Sequence, residues 1–485
     1  MQQKSELPEG WSFCTLEEIG KWSTGGTPSR KVKEYFNGDV PWVKSGDLKD
    51  NVVTDTEEKI TQAALENSSA KLLPAGFVSI ALYGATIGKL GIVNTDAATN
   101  QACANCQVNP CLINRAFLFY YLLSQREELV KAGQGGAQPN ITNKIIREWS
   151  MTLPPLPEQH RIVAAIEALF ARLDATNERL DRVPAIMKVF RQAVLAAACD
   201  GRLTEDWRLD NPSVETAREL IQSLTHKQKR NLKNSALEVP ETNIQEISEN
   251  IPLSWHEVRL EEIATKITDG THHSPPNGSD GDFKYITAKN IKNEGINLSN
   301  VTFVSSDVHK EIYSRCNPEY GDLLLIKDGA TTGIVTLNNL DEPFSMLSSV
   351  ALIKFPSKID TKYIVYCIRS PNFQSNISEK MGGAAITRLT LKKISNMSVP
   401  LPPLPEQQEI VRRVDALFAF ADSVEVKVAA AREKTERLRQ SVLAKAFSGE
   451  LVPTEAEIAR QEGRGYESAG ELLERIGKEG KVSAK

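Results

Sequence analysis

The seven residues Leu153-Pro-Pro-Leu-Pro-Glu-Gln159 occur again as Leu401-Pro-Pro-Leu-Pro-Glu-Gln407, and this duplication constrains the fold more than any other feature of the chain. The match continues without a gap, Ile162-Val163 with Ile410-Val411 and Ala168-Leu-Phe-Ala171 with Ala416-Leu-Phe-Ala419. It resumes at Arg191-Gln192 with Arg439-Gln440 and at Gly201 with Gly449, all at one offset of 248. Upstream the agreement is looser: Trp11 pairs with Trp255, Leu16-Glu-Glu-Ile19 with Leu260-Glu-Glu-Ile263, and Gly84-Ala-Thr-Ile-Gly88 with Gly329-Ala-Thr-Thr-Gly333. A weaker echo follows each copy, Glu219-Leu220-Ile221 and Glu471-Leu472-Leu473. Self-similarity on this scale means one supersecondary plan used twice: globular domain, long helix, short helix.

The prolines of the repeated motif, Pro154, Pro155 and Pro157, are read as a stiff extended approach outside the helix, with helices beginning near Glu158 and Glu406, acidic at the positive helix end. From there apolar residues recur at alternating three- and four-residue steps. In the first helix they are Ile162, Ile166, Leu169, Leu173, Leu180, Val183, Met187, Phe190 and Val194, broken only by Thr176. In the second they are Ile410, Val414, Leu417, Ala421, Val424, Val428, Ala431, Leu438 and Val442, broken only by Thr435. A sustained 3.5-residue period predicts a coiled-coil seam, with the two helices pairing. About 40 residues at 1.5 Å each give rods of about 60 Å, longer than a small domain is wide. Pro184 predicts a kink near 180–184 in the first helix; Arg432 holds that place in the second. An antiparallel pair makes the repeat a pseudo-two-fold.

The fold class expected is therefore α+β, with two globular domains at 1–152 and 251–400. Spacer helices are expected at 153–200 and 401–448, a short helix and linker at 201–250, and a tail with a short helix at 449–485. The linker is placed at 225–250, a polar stretch with no sustained periodicity. With 41% hydrophobic and 25% charged residues the 485-residue chain is an ordinary folded protein of several domains. No stretch approaches 18 uninterrupted apolar residues and the start Met1-Gln-Gln-Lys-Ser5 carries no leader pattern, which predicts a cytoplasmic protein without membrane contact. Seven scattered cysteines lack framework spacing and are expected to be reduced. The net charge of −4 excludes a polycation, so any nucleic-acid contact must come from local arrangement.

Glycine-rich polar turns supply such arrangements. In the first domain the candidates for phosphate contact and base reading are Thr24, Gly26, Thr27, Ser29 and Arg30, then Lys44 and Ser45, then Tyr83 and Lys89, then Gln134 and Gln138. In the second they are Thr271, His272 and His273, then Thr287, Lys289 and Asn290, then Lys327, Asp328 and Thr331, then Thr387 and Arg388. Taken singly each loop is as readily a polar turn; their paired placement in the two copies favours a common role.

Intrinsic chemistry is not expected. Gly84 to Lys89 is one residue short of a phosphate-binding loop and lacks its Ser/Thr, and no glycine-rich dinucleotide fingerprint or Asn/Asp-Pro-Pro-aromatic adenine pocket is found. Glu57-Glu58-Lys59 after Asp47 is read as a chance likeness to a nuclease carboxylate set. Cys103, Cys106 and Cys111 lack a fourth zinc ligand, and no metal or catalytic residue is assigned.

The stretches Leu7-Pro-Glu-Gly-Trp11, Thr24-Gly-Gly-Thr-Pro-Ser-Arg30, Pro41-Trp-Val-Lys-Ser-Gly-Asp-Leu48 and Asp269-Gly-Thr-His-His-Ser-Pro-Pro276, the twice-written motif, and Arg191 to Arg208 together resemble the specificity subunits of type I restriction-modification enzymes, over nearly the whole chain. The resemblance implies a non-catalytic subunit whose two recognition domains read a bipartite asymmetric site in double-stranded DNA. It implies helices that dock two modification subunits, which bind S-adenosylmethionine and methylate adenine at N6. It also implies a separate restriction subunit that uses ATP and Mg, so no cofactor is expected in this chain. The alternative is a coiled-coil scaffold without DNA specificity, which leaves the two diversified domains unexplained.

Overall fold

The computed structural model describes residues 7–133, 139–231, 251–381 and 388–482. Two compact units emerge, one made of residues 1–181 and 429–485 and the other of 182–428, so the division falls inside both long helices. The architecture is α+β in each.

In the first unit a five-stranded sheet runs in the order Gly20–Thr24, Cys103–Val108, Phe77–Ala81, Leu90–Val93, Asn51–Val53. Strand Phe77–Ala81 is buried at every position, as a central strand covered on both faces requires. Cys103 and Cys106, three residues apart on one strand, pack into different core clusters on the two faces, and burial pushes both thiols up to about 12. A second sheet joins Lys59–Ile60, Phe36–Val43 and Ala98–Thr99, and strand Ser12–Thr15 pairs antiparallel with Ser150–Leu153. Helix Arg115–Ser124 starts at Asn114, whose side chain accepts from the backbone N–H groups of Ala116 and Phe117.

The second unit repeats this plan. Strands Lys266–Asp269, Val350–Lys354, Leu323–Ile326 and Val335–Leu337 form its main sheet, Thr302–Val304, Phe283–Ile286 and Ser345–Met346 its smaller one, and His256–Arg259 pairs with Ser398–Leu401. Helix Thr361–Arg369 is capped by Asp360, the counterpart of Asn114.

The long helices span Leu156–Cys199 and Leu404–Ser448. Both begin two residues earlier than the sequence predicts, because Pro157 and Pro405 lie in the first turn, where a residue without an N–H leaves no bond unmade. Pro184 lies inside the first helix, which continues on both sides of it; having no N–H, it makes no bond to the Leu180 carbonyl.

The repeated Glu-Gln pair ties each helix start to its domain. Glu158 accepts the Trp11 indole N–H at 2.8 Å, and Glu406 accepts that of Trp255 at the same distance. Gln159 receives the backbone N–H of Asn114 and donates to the Pro154 carbonyl; Gln407 does the same with Asp360 and Pro402. Each helix start also binds the segment following the other helix. Thr204 and Arg208 donate to Glu406 at 2.7 and 2.5 Å, while the Glu455 backbone N–H donates to Glu158 at 2.8 Å. Gly201 and Gly449, both at positive φ, make the turns that carry the chain into these docked segments.

Within each unit the paired helices are antiparallel. In the first, Thr435 meets Asn177, and Arg439 and Arg432 pair with Asp174 and Asp181. In the second, Arg191 donates to Asp422 at 2.5 Å and to Glu425 at 2.9 Å, and Phe190 packs edge-on against Phe420. The seam differs from expectation in three places. Asn177 faces the partner helix where Thr176 was expected, and Thr176 is exposed. Leu438 is 43% exposed because the adjacent Arg439 turns inward over the Phe170 ring. Ile162, Ile166, Ile410 and Val414 are buried in the domain cores. Leu169, Leu173, Leu180, Val183, Met187, Leu417, Val424 and Val428 are half-buried along the rods.

Candidate nucleic-acid interface

In the first domain the exposed Arg30 is held at both ends. Its guanidinium lies 4.6 Å from the Phe36 ring centre and binds Glu58 at 2.6 Å. Lys44 binds Glu57 and Glu58, each at 2.8 Å. The hydrogen bonds from Arg30 and then Lys44 pull the Glu58 carboxyl down to about 2, and the bonds of Lys44 to Glu57 and then Glu58 raise its ammonium. The Glu57-Glu58 pair thus holds two candidate cations in place, giving it a role the sequence did not disclose. Lys89 binds Asp50 at 2.8 Å, beside Arg126 on the same carboxylate. Burial works against the Asp50 charge, but Lys89 and Arg126 outweigh it and hold the carboxyl below its usual range.

Other candidates in this domain divide by exposure. Thr24 and Ser29 are at the surface, with Thr27, Ser45 and Tyr83 half-buried. Gly26 is not available: it is buried against the backbone of Ser69 and Ala70, where a Cβ would lie 2.2 Å from the Ser69 carbonyl carbon, and its own carbonyl accepts the Trp42 indole N–H at 3.1 Å. Gln134 and Gln138 lie outside the described residues.

In the second domain five charged groups form one chain. Arg315 binds Asp269 Oδ1, and His272 Nε2 lies 3.4 Å from that oxygen. Lys327 Nζ is 3.5 Å from Asp269 Oδ2 and 2.8 Å from Asp328 Oδ2, and Arg388 Nε is 3.2 Å from Asp328 Oδ1. Lys327, expected at the surface, is 2% exposed: its ammonium bridges two carboxylates and cannot touch DNA. Asn290 is likewise buried, with its side chain accepting the Thr287 N–H at 3.0 Å and donating to the Asn297 carbonyl at 3.1 Å. His273, Lys289, Thr331 and Arg388 are exposed, while Thr271 and Thr287 are half-buried. Thr387 lies outside the described residues. Arg315 carries no sequence signal, because it ends a helix with no motif around it, Ser306–Arg315.

The two domains place the same turn in the same way. Gly84 and Gly88 have φ of 82° and 77°, and Gly329 and Gly333 have 97° and 98°. Beside the turn, Tyr83 bridges Asn140 in one domain and Asp328 bridges Arg388 in the other. The two turns share a backbone and differ in side chains, so the frame is common and the chemistry on it varies. Among the described residues no group of acidic, histidine and cysteine side chains able to hold a metal ion is found.

Two copies of an α+β domain, each locked by a Trp–Glu contact to one of two paired helices, define a duplicated recognition protein. The chain belongs to the type I restriction-modification DNA specificity family, whose domain model matches residues 8–185 and again 252–429. It is 30% identical over 480 residues to the Type I restriction enzyme EcoDI specificity subunit of Escherichia coli, covering 97% of this chain and 95% of that one. It is 26% identical over 487 residues to the EcoKI specificity subunit of Escherichia coli strain K12, covering 97% and 96%. Its fold matches the HsdS subunit from Thermoanaerobacter tengcongensis with a TM-score of 0.56 at 19% identity, covering 92% of this chain and 99% of that one. It also matches a chain from a study of assembly and conformational transition of the type I restriction-modification system, with a TM-score of 0.58 at 20% identity, covering 92% and 100%. The protein is a DNA specificity subunit of a type I restriction-modification system and is itself non-catalytic. No helix among the described residues is long and apolar enough to cross a membrane.

Proposed function

We propose that this chain acts in the cytoplasm and reads a bipartite, asymmetric site in double-stranded DNA, one half per domain, with the paired helices setting the separation. The observation that carries this is the exchange of side chains on a common frame: Tyr83 and Asn140 stand in one domain where Asp328 and Arg388 stand in the other. Identical frames with different groups read different bases. The exposed members of the sequence-derived set, among them Ser29, Arg30, His273, Lys289 and Arg388, with the half-buried Lys44 and Lys89, are the DNA contacts of this reading.

In this proposal two modification subunits dock on the helices and methylate adenine at N6 with S-adenosylmethionine, and restriction subunits use ATP and Mg to cleave. A docking face is supported by Ile186, Val189, Phe420 and Val426, large apolar side chains left exposed on the rods of the second unit. The test is to express the chain with its modification subunit and map methylated adenines genome-wide, before and after inserting seven residues in each long helix. Two unlike half-sites with a spacer that changes on insertion support the reading; a palindrome, or a spacer indifferent to helix length, overturns it.

A further inference from the structure

We propose that Arg315 and Arg388 read guanine in the half-site taken by the second domain, and that Asp269 and Asp328, bridged by buried Lys327, are positioning residues that hold both arginines. The proposal rests on the bipartite reading given above.

Three features carry it. Asp269 is buried and its two oxygens face different cations, Arg315 on Oδ1 and Lys327 on Oδ2. Lys327 is sealed inside, so the network is a continuous charged strut from one surface arginine to the other, linking strand end Asp269, the turn at Asp328 and the chain at Arg388. At the two outer ends the arginine side chains stay 51% and 55% exposed. Arg315 uses only Nη2 in its hydrogen bonds among the described residues, to Asp269 and His272, while Arg388 Nε pairs with Asp328 Oδ1 at 3.2 Å as an ion pair outside hydrogen-bond geometry. Arg315 therefore keeps further N–H groups free on a hydrogen-bonded plane, and Arg388 is held beside Asp328 by charge. A guanidinium fixed on one edge and open on the other matches the paired O6 and N7 acceptors of guanine in the major groove. A phosphate contact needs no such strut, because a flexible cation serves there.

The first domain gives the contrast. Its frame positions equivalent to Asp269, Lys327, Asp328 and Arg388 are Thr24, Leu82, Tyr83 and Asn140, none of them charged. Among the described residues this buried strut belongs to the second domain alone.

The test uses the chain assembled with its modification subunits in cells, with methylated adenines mapped across the genome for Arg315→Gln, Arg388→Gln and Asp269→Asn. Each arginine variant should lose discrimination at one guanine, about tenfold or more, within the same half of the motif, while the other half stays intact. Asp269→Asn should relax the Arg315 position, and Asp269→Glu should restore part of it. Methylation that falls evenly across sites with an unchanged motif would assign phosphate contact or a purely structural role and overturn the proposal. If Asp269→Asn lowers the level of folded chain, the Gln variants at the exposed arginines decide alone. A wild-type motif without two unlike halves would instead refute the underlying reading, independently of these residues.

Discussion

The Thr435 hydroxyl lies 2.8 Å from the Asn177 side-chain carbonyl, a polar pair between the two long helices with the ion pairs Arg439–Asp174 and Arg432–Asp181 on either side. An apolar pair there would bind more strongly but would tolerate sliding; a buried polar pair is satisfied in one register only. Asn177→Leu combined with Thr435→Leu is expected to raise the melting temperature by a few degrees, as about 1 kcal/mol does in a large domain. It should also broaden the spacer in mapped methylation sites. A single sharp spacer with unchanged melting would remove the register role.

Glu158 and Glu406 occupy equivalent places but carry different loads. Glu406 is buried against Arg208 as well as Trp255, so Glu406→Ala leaves an uncompensated guanidinium and should cost about 3–5 kcal/mol in urea unfolding. Glu158→Ala strands the Trp11 indole and one backbone N–H, and should cost about 1–3 kcal/mol. Equal losses at the two sites would contradict this account.

Arg30 and Lys44 are held by Glu58, which in the proposed DNA reading would compete with phosphate for both. Glu58→Gln should tighten non-specific DNA binding and steepen its salt dependence by about 1–2 released counterions in a gel-shift titration. Weaker binding would mean that the carboxylate orients the cations and does not restrain them.

Acid should loosen the fold through Glu58 and Glu409, whose carboxyls sit at about 2, Glu58 through Arg30 and Lys44 and Glu409 through Arg412 and Arg413. A depressed folded-state value gives stability that is present above the unfolded value near 4.5 and is lost as pH falls toward 2, of order 1 kcal/mol each once solvent screening is counted. Glu158 acts in the other sense: burial raises its carboxyl, so its protonation favours the folded chain as pH falls toward 4.5. Replacing Glu58 and Glu409 by Gln should therefore flatten the loss of melting temperature between pH 5 and pH 3.

The duplication, the two domains and the helix pairing were legible because a repeat and a 3.5-residue period are properties of sequence order. What escaped were features set by tertiary neighbours. Lys327 and Asn290 sit in short polar stretches like true surface loops, and only packing shows that one is a buried bridge and the other a turn brace. Asn177 was missed by one residue because four-residue steps replace the alternating pattern from Leu169 to Asn177. A second partner of Glu158, besides Trp11, lies nearly 300 positions away, at Glu455, where no local signal points.

That last contact has a consequence for synthesis on the ribosome. The second unit is an unbroken stretch, 182–428, and its core is complete once Val414 has emerged. The first unit includes Leu443, Ala446, Ala469 and Leu472 in the same core as Trp11 and Ile162. The domain made first therefore closes last, and until the final turns of the chain arrive its carboxylate at Glu158 and the apolar face around it stand open to solvent and to whatever holds nascent chains.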